Sequence, residues 1–439
     1  MAVTKPGKLR DFHRFGSLAG PHILVVDGSR VYALDPALAD AFDALAETNE
    51  EEAARLLVRH GLSGPPVMLD KSLRGVPPLR SLSLSVAASC NLGCSYCYAQ
   101  QGSFGGTSGP MGWDVARQAL TTLITGALPG ERVQVAYLGG EPFANRALIQ
   151  KATSFAVDLA NSRGVRIAFA VTTNGTLLSP ADGDFLARYR FAITVSIDGT
   201  EAQHDSQRYY RNGIGSYRRI MNRLRPLLDR RDLDLAARVT VTPNNLDLLT
   251  ALESLSAAGF RSVGFSPVLN SPTGVGELDT SHLNVLLDQM VACGTLFLER
   301  TLSGSTLPFE NIESALREIH RGTHRPYACG AGAGYLGVSA EGDLFACHRF
   351  VGDADGAMGD LSTGINKSAQ RSWLSKRAVD RQEPCRTCWA RYLCGGGCHH
   401  EVIHRGRPAC DYIRGWLDFC LSTYASLLTN LPEYFEVPT

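Results

Sequence analysis

The sequence lacks a net charge, a long apolar run and any low-complexity tract. Its 439 residues carry 43 Lys and Arg against 43 Asp and Glu, so no overall field would recruit a nucleic acid or an anionic membrane. No stretch approaches the roughly 18 consecutive apolar residues of a membrane span, and the first residues contain no apolar signal segment. We therefore expect a cytoplasmic protein without a nucleic-acid or membrane partner.

Twelve cysteines are present, and their distribution argues against disulfide bonds. Even numbers of cysteine indicate disulfides mainly in short exported domains, whereas this chain is long and shows no export signal. All but Cys293 lie within residues 90–97 and 329–420, as metal ligands would. Cys293 lies in an apolar helical run and is typical of an ordinary buried thiol.

Residues 1–78 predict a small N-terminal module of strands and helices. Two β-branched runs flank an Asp-Gly turn, which indicates a hairpin across residues 21–35. Apolar residues at helical spacing follow at 36–46 and 49–60.

The remaining chain predicts an α/β protein in three further parts. Strand and helix patterns alternate from 79 to 275 in six units, which favours a partial (β/α)6 TIM-like barrel. Residues 276–320 predict a bridging helical region, and residues 321–439 form a glycine- and cysteine-rich domain with short elements. Polar and glycine-rich residues follow the barrel strands, at the end where ligands bind in such folds.

Three cysteines stand in the string CNLGCSYCY directly after the first barrel strand: Cys90, Cys94 and Cys97. Three thiolates leave one iron of a cubane cluster without a protein ligand. That iron can chelate the amino and carboxylate groups of S-adenosylmethionine, whose one-electron cleavage gives a 5'-deoxyadenosyl radical. A structural zinc site is the alternative, but zinc prefers four protein ligands and this loop offers no fourth cysteine or histidine. These cysteines are therefore the candidate catalytic and metal-ligating residues.

The CxxxCxxC spacing with an aromatic residue before the last cysteine resembles the radical S-adenosylmethionine (radical SAM) superfamily. LGGEP at 138–142 is similar to that family's glycine-rich strand end, where the resemblance implies contact with the amino group of S-adenosylmethionine. Polar residues at later strand ends would contact its ribose and carboxylate, although ordinary turn residues are the alternative there. The implied cofactor-binding residues are Tyr96, Gly139, Gly140, Glu141, Thr173, Asn174, Ser196, Asp198 and Arg238. Arg208 is a further candidate for contact with substrate or cofactor.

The C-terminal cysteines resemble the SPASM extension of radical enzymes that modify peptides. The ligand order of that family implies a first auxiliary 4Fe–4S cluster on Cys329, Cys347 and Cys398. It implies a second on Cys385, Cys388, Cys394 and Cys410. Three 4Fe–4S clusters are therefore expected. The fourth iron of the first auxiliary cluster is left to water, a substrate thiolate or Cys420, although a buried thiol is the favoured interpretation of Cys420.

Three histidines adjoin the predicted cluster ligands: His348, His399 and His400. They would either hydrogen bond to sulfur or simply pack. No further set of cysteine and histidine indicates another metal.

The C-terminal strings are similar to those of maturases of ribosomally made peptides. This resemblance implies hydrogen abstraction from a peptide and an oxidative modification, a thioether or a side-chain crosslink. It also implies a precursor peptide whose leader adds as a strand to the N-terminal module, and a reductant such as flavodoxin or ferredoxin. The alternatives are a sulfatase-type formylglycine maturase, a cofactor-precursor maturase, and a non-catalytic electron carrier or scaffold. The intact CxxxCxxC and GGEP argue against the last.

Overall fold

Two separate sheets organise the computed structural model, which describes residues 12–46, 49–62, 77–104 and 109–436. The smaller is antiparallel and contains β1 (Phe12–Ser17), β2 (Gly20–Val25) and β3 (Arg30–Ala33), in that order. Helices α1 (Pro36–Ala46) and α2 (Glu50–Arg59) follow. The predicted hairpin is confirmed as β2 and β3. Strand β1 was not predicted, since its residues FHRFGS mix polar and apolar types without a clear alternation.

The larger sheet contains a run of six parallel strands, as the six predicted units require. They are β4 (Ser81–Ala87), β5 (Arg132–Gly139), β6 (Arg166–Thr173), β7 (Ala192–Ser196), β8 (Leu235–Val241) and β9 (Ser262–Pro267). Six helices lie between these strands: α3 (Trp113–Thr125), α4 (Arg146–Ser162), α5 (Pro180–Arg188), α6 (Glu201–Asp205), α7 (Tyr217–Leu228) and α8 (Leu248–Ala257). This is the partial TIM-like barrel that the sequence predicts.

Burial explains why these strands form the centre of the molecule. In β4, Leu82, Leu84 and Val86 are inaccessible to solvent, and Ser83 on the other side of the strand is also buried. Strands buried on both faces are the rule in parallel sheets covered by helices. Residues that follow these strands are therefore held at one rigid edge.

The C-terminal region extends the same sheet. Strand β10 pairs in parallel with β4, and β11, β12 and β13 continue beyond it. The elements after the barrel are α9 (Thr280–Leu302), α10 (Glu310–His320), β10 (Tyr335–Val338), β11 (Asp343–Phe345), β12 (Ala357–Asp360), β13 (Gly364–Ile365), α11 (Lys367–Arg377), α12 (Arg391–Cys394), α13 (His399–Arg405) and α14 (Cys410–Asn430). The sheet thus crosses the boundary predicted at residue 321.

Helix α14 connects the parts of the molecule. It packs against α9, α10 and β1, and a ring nitrogen of His13 lies 2.6 Å from the carboxylate of Asp418. The ring of His13 also stacks on Trp389, with centroids 3.7 Å apart. Among the described residues, none of the helices is both long and apolar enough to cross a membrane.

Candidate active site and cysteine clusters

The loop that carries Cys90, Cys94 and Cys97 follows β4 and lies against the end of β5. Two glycines make this contact possible. A Cβ atom on Gly140 would lie 2.2 Å from the carbonyl oxygen of Ser89, and one on Gly139 would lie 2.5 Å from that of Ala87. Gly139 also has a φ of 140°, which strongly favours glycine. The two glycines of LGGEP therefore set the position of the cysteine loop.

The three thiols of this loop share one polar environment. Cys90 Sγ accepts hydrogen bonds from the backbone N–H of Leu92 at 3.4 Å and from Asn174 Nδ2 at 3.5 Å. Burial raises the pKa of Cys94 to about 12, and the guanidinium of Arg208 opposes that shift. Cys97 acts electrostatically on both of the other thiols, and Cys90 also acts on Cys94. The site combines buried thiols, amide donors and a nearby cation. These features suit the thiolate ligands of an iron–sulfur cluster, whose iron carries positive charge.

A buried chain of hydrogen bonds lies behind the loop. Tyr96 donates to Asp198 Oδ2 at 2.6 Å, and Arg208 Nη1 donates to the same tyrosine oxygen at 2.5 Å. Gln207 and the backbone N–H of Thr240 complete the bonds to Asp198, each at 2.9 Å. Burial raises the pKa of Asp198 and that of Tyr96. The Nε atom of Arg208 is buried without a partner in the described residues, which leaves a donor at this site for a bound carboxylate or sulfide.

Glu141 is completely buried and binds the next strand end. Its two oxygens accept from the hydroxyl of Thr173 and the backbone N–H of Asn174, both at 2.7 Å, and from the backbone N–H of Phe143 at 3.1 Å. The carboxylate thus fixes the TTNG turn against the LGGEP turn. All three donors belong to the protein. The predicted contact of Glu141 with S-adenosylmethionine stays a prediction.

The remaining predicted cofactor-binding residues lie farther along the same edge. Ser196 is half-buried at the end of β7, and Arg238 is exposed and donates from Nη2 to Ser266 Oγ at 2.8 Å. Asn91, which the sequence analysis did not single out, accepts at 2.9 Å from Asn174 Nδ2. Only its position next to Cys90 could have drawn attention to it.

Three of the C-terminal cysteines lie close together. Burial raises the pKa of Cys347 to about 12, and Cys398 and Cys329 add to that shift. Arg349 Nη1 lies 3.8 Å from Cys398 Sγ and donates to Glu401 Oε1 at 2.7 Å. The structure therefore brings together the three cysteines predicted for the first auxiliary cluster, whose role as ligands stays a prediction.

A second group of four cysteines lines a cavity of about 340 Å³, to which Cys398 of the first group also contributes. The members of this second group are Cys385, Cys388, Cys394 and Cys410. Cys394 accepts hydrogen bonds from the backbone N–H groups of Gly396 and Gly397, both of which have positive φ. A cavity bounded by several thiols and by amide donors fits a cubane. These residues are the set predicted for the second auxiliary cluster.

Cys420 and the histidines beside the clusters are placed differently. Cys420 is fully buried within α14 and does not line this cavity, which favours an ordinary thiol. His348 Nδ1 lies 2.8 Å from the hydroxyl of Tyr335, and His399 Nδ1 lies 3.2 Å from Nε of Arg377. Within the described part of the chain, neither ring bonds to a cysteine sulfur. The role of either ring beside a cluster therefore stays a prediction.

Comparison with known proteins gives a family match for the barrel. Residues 84–270 match the model of the radical SAM superfamily. The serine-type anaerobic sulfatase-maturating enzyme of Klebsiella aerogenes is 26% identical over 361 residues, which cover 79% of this chain and 86% of that enzyme. It is thus similar over most of both chains.

Two solved structures share the fold. One is native anSMEcpe with bound AdoMet, with a TM-score of 0.67 and 17% identity over 81% of this chain and 100% of that one. The other is SuiB of Streptococcus suis bound to its precursor peptide SuiA, with a TM-score of 0.54 and 15% identity over 92% of this chain and 98% of that one. The second match extends over a larger share of this chain than the first.

Proposed function

Because this chain is a radical SAM enzyme of the SPASM type, with a 4Fe–4S cluster and S-adenosylmethionine as cofactors, we propose that it oxidises a ribosomally made peptide. The product is a thioether or a side-chain crosslink, formed after hydrogen is abstracted from the peptide. The observation that carries this proposal is the meeting of the CxxxCxxC loop, the LGGEP turn and the TTNG turn at one barrel edge. When bound there, the cofactors supply a carbon radical able to abstract hydrogen.

The chain's own residues have three roles at this edge. Cys90, Cys94 and Cys97 hold the cluster, and the amide of Asn174 stabilises negative charge on sulfur. Arg208 adds a buried positive charge near Cys94. Burial also keeps water away from the loop, because Leu92 and Tyr96 are almost inaccessible to solvent. Two auxiliary 4Fe–4S clusters in the C-terminal cysteine groups would accept the electron left after bond formation.

A leader segment would bind the N-terminal module by strand addition. Strand β1 faces α14, whereas β3 is the other edge of the three-stranded sheet and pairs with no further strand in the described residues. An extended peptide could therefore continue the sheet at Arg30–Ala33. The match to SuiB, which was solved with its precursor peptide, supports this part of the proposal.

Formylglycine formation on a sulfatase is the second candidate. The observation that favours it is the similarity to the Klebsiella aerogenes enzyme over 86% of that enzyme's length. Both candidates begin with hydrogen abstraction from a peptide. They differ in the product, since formylglycine carries a free aldehyde and a crosslink or thioether does not.

The first test is anaerobic reconstitution, followed by reduction with dithionite in the presence of S-adenosylmethionine and mass detection of 5'-deoxyadenosine. We expect cleavage by the wild-type enzyme and none by Cys97→Ala. No cleavage by a fully iron-loaded wild-type enzyme would contradict the proposed chemistry.

The second test distinguishes the two products. The reduced enzyme is incubated separately with a short peptide encoded beside its gene and with a sulfatase-derived peptide that carries the target cysteine or serine. Loss of two hydrogens from the first peptide, without labelling by a hydrazide reagent, is the expected result. Hydrazide labelling of the sulfatase peptide alone would establish formylglycine formation instead.

A further inference from the structure

Helix α13 carries two histidines at metal-ligand spacing. The residues from 400 to 404 are HEVIH, so His400 and His404 lie one turn apart on the same face of the helix. This is the H-E-x-x-H pattern, in which two imidazoles bind one metal ion. The expectation that no further cysteine and histidine set binds a metal overlooks this pair, because the neighbouring cysteines dominate that region.

The fold adds a third donor from a distant part of the chain. Asp353 lies in the loop before β12, and its Oδ2 is 2.7 Å from His404 Nε2. One ligand atom from each of Asp353, His400 and His404 lies within 4.8 Å of the other two. Ligand atoms on a tetrahedral zinc ion are about 3.4 Å apart, given bonds of about 2.05 Å. A small rotation of the exposed His404 side chain would therefore close the site.

The surroundings favour a cation over a simple hydrogen-bonded pair. The Nδ1 atom of His400 is buried and has no hydrogen-bond partner in the described residues. The ring of Phe350 lies against His400, with centroids 4.9 Å apart, and limits its movement. The positive charge of Arg349, which acts on His400, is balanced by its ion pair with Glu401 at 2.7 Å.

We propose that Asp353, His400 and His404 form a fourth metal site, which binds a divalent zinc-type ion with three protein ligands and water. Two imidazoles and one carboxylate are the donors that such ions accept, and the absence of a thiolate distinguishes the site from the cluster sites.

The proposed ion has a structural role, not a hydrolytic one. In metalloproteases with this motif the glutamate acts as the general base beside the metal. Here Glu401 is held by Arg349 and lines the cavity of the second cysteine group. The ion would instead join the loop that follows Cys347 to the helix that begins after Cys398, and so fix two cysteines predicted for one cluster.

The test is equilibrium dialysis of the reconstituted holoenzyme against Zn²⁺, with zinc and iron measured in the same sample. We expect the wild-type enzyme to retain about one more zinc per chain than His404→Ala or Asp353→Asn, with equal iron in all samples. His282→Ala is the matched control, because His282 forms a similar pair with Asp279 at 2.8 Å and, among the described residues, no third ligand lies beside that pair. Equal zinc in the wild type and both site variants would overturn the proposal.

X-ray absorption at the zinc edge separates this site from the cysteine sites. Nitrogen and oxygen neighbours at about 2.0–2.1 Å are expected, whereas zinc that has replaced iron among the cysteines would show sulfur at about 2.3 Å. A spectrum dominated by sulfur would also overturn the proposal, even if zinc were retained. Both readouts are independent of catalysis.

Discussion

At the scale of single residues, the site depends on buried polar groups that satisfy one another. Asp198 is completely buried, and an unpaired carboxylate in that position would be strongly unfavourable. Tyr96, Gln207 and a backbone N–H donate to it, and Arg208 adds a positive charge. The same four-part arrangement orients the cysteine loop, because Tyr96 belongs to that loop. Positioning and stability are therefore coupled here.

His204 extends this network and makes stability depend on pH. Its Nδ1 accepts from the backbone N–H of Asp198 at 3.1 Å, so its Nε2 carries the proton and donates to Ser216 Oγ at 2.8 Å. Burial lowers the pKa of His204 well below its ordinary value, and Arg208 lowers it further. The folded protein thus keeps this ring neutral where the unfolded chain would protonate it.

We expect this contribution to be fully present above the ordinary histidine pKa of about 6.5 and to be lost as pH falls towards the lowered folded-state value. The loss would be at most about 1.4 kcal/mol per pH unit. Thermal unfolding of the holoenzyme at about pH 7.5 and about pH 5.5 measures it. His204→Asn should reduce the difference in midpoint, since asparagine can accept the Asp198 bond without titrating. The exposed His60→Asn is the control, and an unchanged difference in His204→Asn would contradict the assignment.

At the scale of elements, the contact between α9 and α14 joins the barrel to the C-terminal region. Gly294 of α9 lies under the ring of Phe419 in α14, and a Cβ atom there would be 2.2 Å from Cε1 of that ring. Two turns farther along α14, Ser426 Oγ accepts at 3.2 Å from the backbone N–H of Leu18, the residue that follows β1. Helix α14 therefore packs against both α9 and the N-terminal module.

Gly294→Ala should separate these helices and destabilise the protein by about 1–3 kcal/mol, because the ring cannot move without disturbing a packed core. A decrease of several degrees in the thermal unfolding midpoint is expected. Gly16→Ala provides the control, because a Cβ atom there would meet no heavy atom within 4 Å. Equal midpoints for the two variants would show that α9 and α14 do not pack in this way.

At the scale of the whole molecule, the larger sheet joins the barrel to the C-terminal region, which carries two of the three cysteine groups. Strand β10 pairs with β4, so the region after residue 321 is anchored to the strand that precedes the CxxxCxxC loop. The two C-terminal groups interleave in sequence, since Cys398 belongs with Cys347, and Cys410 belongs with Cys385. Clusters bound there would link segments that are far apart in the chain.

The three predicted clusters should be separable by mutation. Replacing Cys90, Cys94 and Cys97 with alanine should remove about four irons and all cleavage of S-adenosylmethionine, and leave about eight irons per chain. Replacing Cys385 and Cys410 should remove about four irons of the second auxiliary cluster. Iron and sulfide analysis measures both changes. Cys293→Ala is the control, because Cys293 is a fully buried thiol outside the predicted ligand sets. Loss of iron from Cys293→Ala, or none from the other variants, would contradict the ligand sets.

Local sequence patterns suffice to predict the barrel and the positions of its motifs. Alternating strands and helices predict parallel β/α units from local pattern alone, and CxxxCxxC and LGGEP carry their chemistry within a few consecutive residues. LGGEP also marks Gly139 and Gly140 in the sequence, although their contact with the cysteine loop is seen only in the fold. Motifs within a few consecutive residues are local, which is why a sequence pattern can reveal them.

Contacts between residues that are distant in the chain depend on the three-dimensional fold and could not be predicted. Asp353 is separated by almost fifty residues from the histidines of α13, and nothing in the local sequence places its carboxylate 2.7 Å from His404. In the same way, Asp198 meets Tyr96 and Arg208 only because the barrel closes β7 onto the loop after β4. β1 became a strand through its pairing with β2 and its packing on α14, not through its own alternation. These contacts result from packing between segments that are far apart in the chain. The periodicity of a single segment contains no information about such packing.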